Sequence, residues 1–298
     1  MTGGRTAASE TGPQRSASEA AALAKRYGLR RVDVTPSLGR YLQQLWNRRQ
    51  FIVELSTARA YERNQNNVLG QLWAALNPLL LAGSYFLIFG LLLDTSRGVG
   101  NFPAFLCVGI FIFSFIASSA TSGAKSISSN LSMVRSLRFP RAALPISVAL
   151  SEFLMLLPAM AVLAVLLPIV GEPPRWQWLA IPLVMVLLFA FCAGLSLICA
   201  RLVLDVRDAT NLIPVGVRLT RYVSGVFFSI AAYAGHGVLS AIMQYQPVAL
   251  FLELTRSCLL AEVPQDPVLW LWGVIWAVSF LVVGIVVFWR AEGRYGRD

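Results

Sequence analysis

Six long apolar stretches punctuate the chain: Leu72–Leu93, Phe102–Ser119, Leu144–Val170, Trp178–Ala200, Val215–Tyr233 and Val268–Trp289. Each approaches the ~20 residues that a helix needs to cross ~30 Å of hydrocarbon. Ahead of them, residues 36–70 are polar but periodic. Leu38, Tyr41, Leu42, Leu45 and Trp46, then Phe51, Ile52 and Leu55, recur at helical spacing with Arg40, Arg48 and Arg49 among them. This predicts an amphipathic helix in the membrane interface, apolar residues toward acyl chains and arginines toward phosphates; a soluble helix packed on a partner is the alternative. Between the fifth and sixth stretches, Ala234–Asp266 is moderately apolar and interrupted by Gly235, Gly237, Pro247 and Pro264. It predicts one or two short re-entrant helices that dip in from the outer side and return. The fold class expected is an all-α polytopic membrane protein. Its expected parts are a disordered tail (1–35), the amphipathic helix region (36–70), a six-helix transmembrane domain (71–290) and a short tail (291–298).

Charge orients these elements. Of the 25 Lys and Arg, 20 fall in segments predicted on one side of the spans. Only Arg97, Arg175 and Arg256 fall on the other, and Arg218 and Arg221 lie within the fifth stretch. Positive charge is retained on the cytoplasmic side, so both termini are expected in the cytoplasm and the net charge of +10 needs no nucleic-acid partner. Charged residues make up 13% of the chain against about 25% in soluble domains, which agrees with a membrane protein. The cysteines, Cys107, Cys192, Cys199 and Cys258, have no metal-ligand spacing and read as packing residues.

Candidate chemistry is sparse. No G-x-x-x-x-G-K-[ST] phosphate loop is present, so ATP hydrolysis by that route is not expected of this chain. The single histidine, His236, has no acid–base partner at useful spacing. Glu152, Arg218 and Arg221 are charges inside apolar spans, where each needs a partner or an aqueous cavity. For Glu152, a candidate for the substrate pathway, the expectations are a buried pair with an arginine or backbone partner, or a role in gating or proton coupling. Arg218 and Arg221, three apart and beside Tyr222, form either a phosphate-holding patch beside a pathway or a pair that snorkels to lipid phosphates. Tyr85 and Phe89, deep in the first span, either offer stacking faces to sugars or pack against helices and lipid.

Four stretches together carry a family likeness. They are Arg63-x5-Leu69-Gly70-x-Leu72-Trp73-x3-Asn77-Pro78-Leu79; Asn130-Leu131 with Phe139-Pro140-Arg141-x2-Leu144-Pro145; Val206-Arg207-Asp208; and Gln246-Pro247-x7-Leu254-x-Arg256-x2-Leu259-Leu260. In order and placement they resemble the membrane subunits of ABC type-2 transporters, in particular the polysaccharide export permeases for O-antigen, teichoic acid and galactan. The chain departs from the usual family pattern at Asn64, Gln246 and Gly225.

The resemblance implies a homodimer forming one pore, driven by two copies of a separate ATPase subunit that holds ATP and Mg. No cofactor is implied in this chain. Short helices in Lys125–Arg138 and Arg201–Ala209 would couple to the ATPase, with Asn130, Arg135, Arg138, Arg141, Arg207 and Asp208 at the contact. Topology-setting charge is the plainer reading of Arg135, Arg138 and Arg141. The region of Pro247 and Arg256 would form an outer gate. The function implied is export of a lipid-diphosphate-linked polysaccharide across the plasma (inner) membrane. Rivals are a type-2 exporter of drugs or lipids and a membrane-embedded glycosyl or lipid transferase.

Overall fold

A computed structural model of the chain describes Arg26 and residues 37–65, 70–92, 98–137, 139–234 and 237–291. Every regular element among them is helical. Two helices, α1 (Leu38–Asn47) and α2 (Arg49–Gln65), precede the first apolar segment. That segment is α3 (Trp73–Tyr85), continued by a π-helical stretch over Phe86–Leu92. Then follow α4 (Phe102–Lys125), α5 (Leu131–Ser136), α6 (Ala143–Ile169) and α7 (Ile181–Asp205). The last five are α8 (Ala209–Val223), α9 (Ile230–Ala234), α10 (Val238–Tyr245), α11 (Pro247–Leu259) and α12 (Pro267–Arg290). The expected terminal tails lie outside the described residues.

Among the described residues, five segments are long and apolar enough to cross a membrane: Trp73–Leu92, Phe102–Lys125, Ala143–Ile169, Trp176–Asp205 and Pro267–Arg290. They begin within two residues of five of the six expected starts. Their beginnings are written in local chemistry. Asn101 accepts the Ala104 N–H at 3.3 Å ahead of α4, and Asp266 accepts the Val268 N–H at 2.8 Å ahead of α12. Each is followed closely by a proline that a first turn tolerates. The ends of α4 and α7 run five or six residues past the apolar stretch, because small residues let the two helices stay packed there. Ser196 donates to the Ser119 carbonyl at 2.8 Å, and a Cβ on Gly123 would meet Ser196 at 2.7 Å.

α4 is the centre of the bundle, with Ala104, Leu106, Val108, Ile110 and Ile112 all fully buried. α7 and α12 form the closest helix pair. A Cβ on Gly194 would lie 2.3 Å from the Phe280 carbonyl, and one on Gly284 would lie 2.7 Å from the Gly194 oxygen. Glycine alone permits this approach, which maximises dispersion where lipid supplies no hydrophobic drive.

Three loops meet at one end of the bundle. Asn101 Nδ2 donates to the Val170 carbonyl, Trp178 Nε1 to the Leu259 carbonyl, and the Ala261 N–H to the buried Glu172. The Glu262 carboxylate accepts the Gly100 N–H at 2.6 Å. At the other end Tyr41, Ile127, Val134, Leu144, Leu197 and Phe288 form a separate apolar cluster, and the Tyr41 hydroxyl accepts the Ala142 N–H. This division matches the two sides assigned from the charge pattern.

Three expectations need correction. The fifth apolar stretch, expected as one helix over Val215–Tyr233, is broken: α8 ends at Val223, Ser224–Ser229 is not helical, and α9 is a separate short helix. Gly225 takes φ +68°, open to glycine and strained for other residues. The carbonyls freed beyond it bond to Arg256 instead of to helical N–H groups. No separate helix forms over Arg201–Ala209: α7 continues to Asp205, pinned by an Arg201–Asp205 ion pair, and α8 starts after a three-residue turn. Within residues 36–70, α2 turns Ile52, Ser56 and Ala60 onto protein rather than outward, and packs along α6. α1 keeps Trp46 68% exposed with Arg49 over its ring at 5.4 Å.

Candidate functional site

The pathway and gate candidates fall into three separate places. At the first, α2 and α6 run side by side. Arg59 Nη1 donates to Ser147 Oγ at 2.9 Å, and four residues on Arg63 Nη1 donates to both Glu152 oxygens at 2.8 Å. Ser122 of α4 adds a third hydrogen bond to Glu152 at 3.1 Å. Burial lowers the pKa of Arg59, and nearby Glu62 opposes that shift; an arginine stays charged regardless. Glu152 is thus the buried arginine pair that the sequence allowed, with its side chain 9% exposed and that of Arg63 51% exposed. A cavity of about 210 Å³ opens beside the pair, walled by α3, α4 and α6.

The second place joins α3, α4 and the end of α8. The Tyr85 ring lies 4.5 Å from Phe227, Phe89 stacks on Phe227 at 4.9 Å and 10°, and the Tyr222 ring lies 5.7 Å away. Three candidate residues therefore gather around Phe227, which the sequence reading passed over as part of a continuous helix. Arg221 sits over the Phe113 ring of α4 at 4.9 Å, a cation–π contact that holds the charge against an apolar wall. Arg218 is exposed one turn earlier, alongside exposed Leu219 and Tyr222. Glu152 belongs to the first place and not to this one.

The third place is built on Arg256, 2% exposed and the largest fully buried side chain. Its Nη1 donates to the Gly225 carbonyl at 2.9 Å and its Nη2 to the Val226 carbonyl at 3.1 Å. Its Cζ lies 3.4 Å from the Phe105 ring centroid, and Glu253 stands 3.9 Å away. Gly109 makes the room: a Cβ there would fall 2.4 Å from Nη2. The Nε atom has no hydrogen-bond partner among the described residues. A buried cation is costly unless paired, and here carbonyl dipoles and a ring face do most of that pairing. Pro247 opens the same helix, and the preceding Gln246 donates to the Val223 carbonyl at 3.1 Å. α11 thus grips the break after α8 from both of its ends. The turn before α11 lies deep: Trp276 Nε1 donates to the Tyr245 carbonyl, ~14 Å along α12 at 1.5 Å per residue.

The coupling candidates sit at the opposite end. Asn130 folds its amide back onto Ser126 and Ser129, which fixes the turn into α5. Arg135 is exposed on α5, Arg141 is half-buried at the entry to α6, and Arg207 and Asp208 are exposed in the turn before α8. Arg138 and His236 lie outside the described residues.

A bundle whose described residues hold five helical segments long and apolar enough to cross a membrane defines a polytopic membrane protein. The chain belongs to the ABC-2 type transporter family, whose model matches residues 52–260. It is 29% identical over 237 residues to an O-antigen export system permease protein RfbA of Klebsiella pneumoniae, covering 78% of this chain and 88% of the relative. It is 26% identical over 260 residues to a protein of the same name from Myxococcus xanthus, covering 86% and 95%. The family agrees with the resemblance carried by the four motifs, and both relatives are named as O-antigen export permeases.

Proposed function

We propose that this chain is the transmembrane half of an ATP-driven exporter that moves a lipid-diphosphate-linked polysaccharide across the plasma membrane. The observation that carries the reading is the similarity, over 78% and 86% of this chain, to O-antigen export permeases from two organisms. Two copies of the chain form the pore, and two ATPase subunits bind from the cytoplasm. Exposed Arg135, Arg207 and Asp208, with Arg138, Arg141 and the turn at Asn130, form their docking face.

In this reading the broken segment supplies the sixth crossing. α8 covers ~22 Å at 1.5 Å per residue. The turn and α9 continue from it until Ala232 meets Gly98, in a loop of the opposite end. Both termini then face the cytoplasm. α10 and α11 dip back as an outer gate, with Pro247 at its inner turn and Arg256 as its internal tie. Arg218 and Arg221 hold the diphosphate, and Tyr85, Phe89 and Tyr222 offer sugar-stacking faces.

Deleting the gene in its host tests this. The expected result is loss of a surface polysaccharide with accumulation of its lipid-linked form inside. Unchanged surface glycan together with altered resistance to a drug would favour a small-molecule exporter instead.

A further inference from the structure

The cavity beside Arg63 and Glu152 has a chemistry that the export reading does not use. Its polar end holds one cation and one anion in contact, together with Asn77, Ser114 and Ser118. Pro78, which offers no N–H to the carbonyl of Ala74, lines the cavity together with Ala74. Its other end is apolar, formed by side chains such as Leu81, Phe115, Met155 and Leu156. On the helices that wall it, Leu80 and Leu157 are 56% and 44% exposed. Each follows or precedes a lining residue, Leu81 or Leu156, in the chain, and exposed leucines on a membrane-spanning helix can lie against acyl chains.

The net charge of the polar end decides what fits. A simple anion drawn to Arg63 would meet Glu152, and a simple cation drawn to Glu152 would meet Arg63. A zwitterion satisfies both. At about 210 Å³, against roughly 30 Å³ per water, the volume suits a headgroup and excludes a whole lipid. We propose that this cavity binds the phosphoethanolamine headgroup of one membrane phospholipid. Its phosphate lies on the half-exposed Arg63 guanidinium and its ammonium on Glu152, while the acyl chains lie over Leu80 and Leu157. A primary ammonium brings three N–H donors that the carboxylate and the serine oxygens accept. A quaternary choline brings none, and a phosphoglycerol headgroup brings uncompensated negative charge. The lipid would bridge α2 to α3 and α6, wherever the cargo travels.

The test is lipid retention by the purified full-length chain, read by native mass spectrometry after exposure to vesicles of phosphatidylethanolamine, phosphatidylcholine or phosphatidylglycerol. The expected result is one retained phosphatidylethanolamine per chain, at least tenfold preferred over the other two. Arg63→Gln and Glu152→Gln should each reduce that preference below threefold. Ala159→Leu, which fills the cavity and leaves the ion pair intact, should abolish retention. Equal retention of all three lipids, no retained lipid, or retention unchanged in Ala159→Leu would overturn the proposal; so would occupation of the cavity by a second copy of the chain. None of these readouts depends on transport, so a wrong cargo assignment leaves the test intact.

Discussion

Replacing Gly109 by alanine adds a single methyl group at the tightest point around a buried cation. That Cβ would fall 2.4 Å from Arg256 Nη2 and 3.1 Å from the Val226 carbonyl oxygen. An ordinary contact between such atoms is close to 3.5–4.0 Å. The guanidinium must therefore move by about 1 Å, and it has little free space to enter: the Phe105 ring closes one side at 3.4 Å from Cζ, and two carbonyls hold the other. Hydrogen bonds to a charged group contribute about 1.5–3 kcal/mol each. Losing one and stretching the other costs about 2–4 kcal/mol, and the break after α8 loses its main anchor. Thermal unfolding in detergent should show Gly109→Ala melting well below the wild type, by roughly 5 °C or more at about 2–4 °C per kcal/mol. The mechanism predicts coupling. In an Arg256→Met background the same alanine should cost at least 1 kcal/mol less, since neighbours that share one contact are not additive. A wild-type melting temperature for Gly109→Ala, or simple additivity in the double variant, would refute the reasoning.

Other outcomes follow from the same geometry. Arg63→Gln should destabilise more than Glu152→Gln, because it strands a carboxylate only 9% exposed, whereas Arg63, 51% exposed, can turn to water when Glu152 is neutralised; melting temperatures of the two variants decide it. Gly194→Leu should fail to give a monodisperse folded peak on size exclusion, since even its Cβ would overlap the Phe280 backbone. Replacing Arg218 and Arg221 together by leucine should abolish export while leaving co-purification with the ATPase intact; unchanged export would remove both from the mechanism.

Five helices were legible in the sequence because their signal is local: an apolar run of the right length, opened at Asn101 or Asp266 by a cap and a proline. The sixth was misread because its apolar run continues through a backbone break. Ser224-Gly225 was a visible clue, yet the reason the break holds is Arg256, thirty residues away, and no window of local sequence contains both. The interfacial reading of residues 36–70 rested on Trp46 and on Arg40, Arg48 and Arg49 among periodic apolar residues, and nothing in that periodicity reveals that Arg59 and Arg63 have partners on α6. The aromatic candidates Tyr85, Phe89 and Tyr222 were chosen by type and depth, and the structure brings them together only through Phe227. The coupling residues needed the family resemblance: as sequence they are ordinary inner-loop charge.

The central claim is that this chain forms a polysaccharide pore worked by a separate ATPase. It is tested most directly by co-reconstituting the two subunits in proteoliposomes with a lipid-linked glycan labelled on its sugars. The account predicts ATP-dependent movement of the glycan to the opposite leaflet, lost when either subunit is omitted. Glycan movement by this chain alone without ATP, or no movement with both subunits and ATP present, would contradict it.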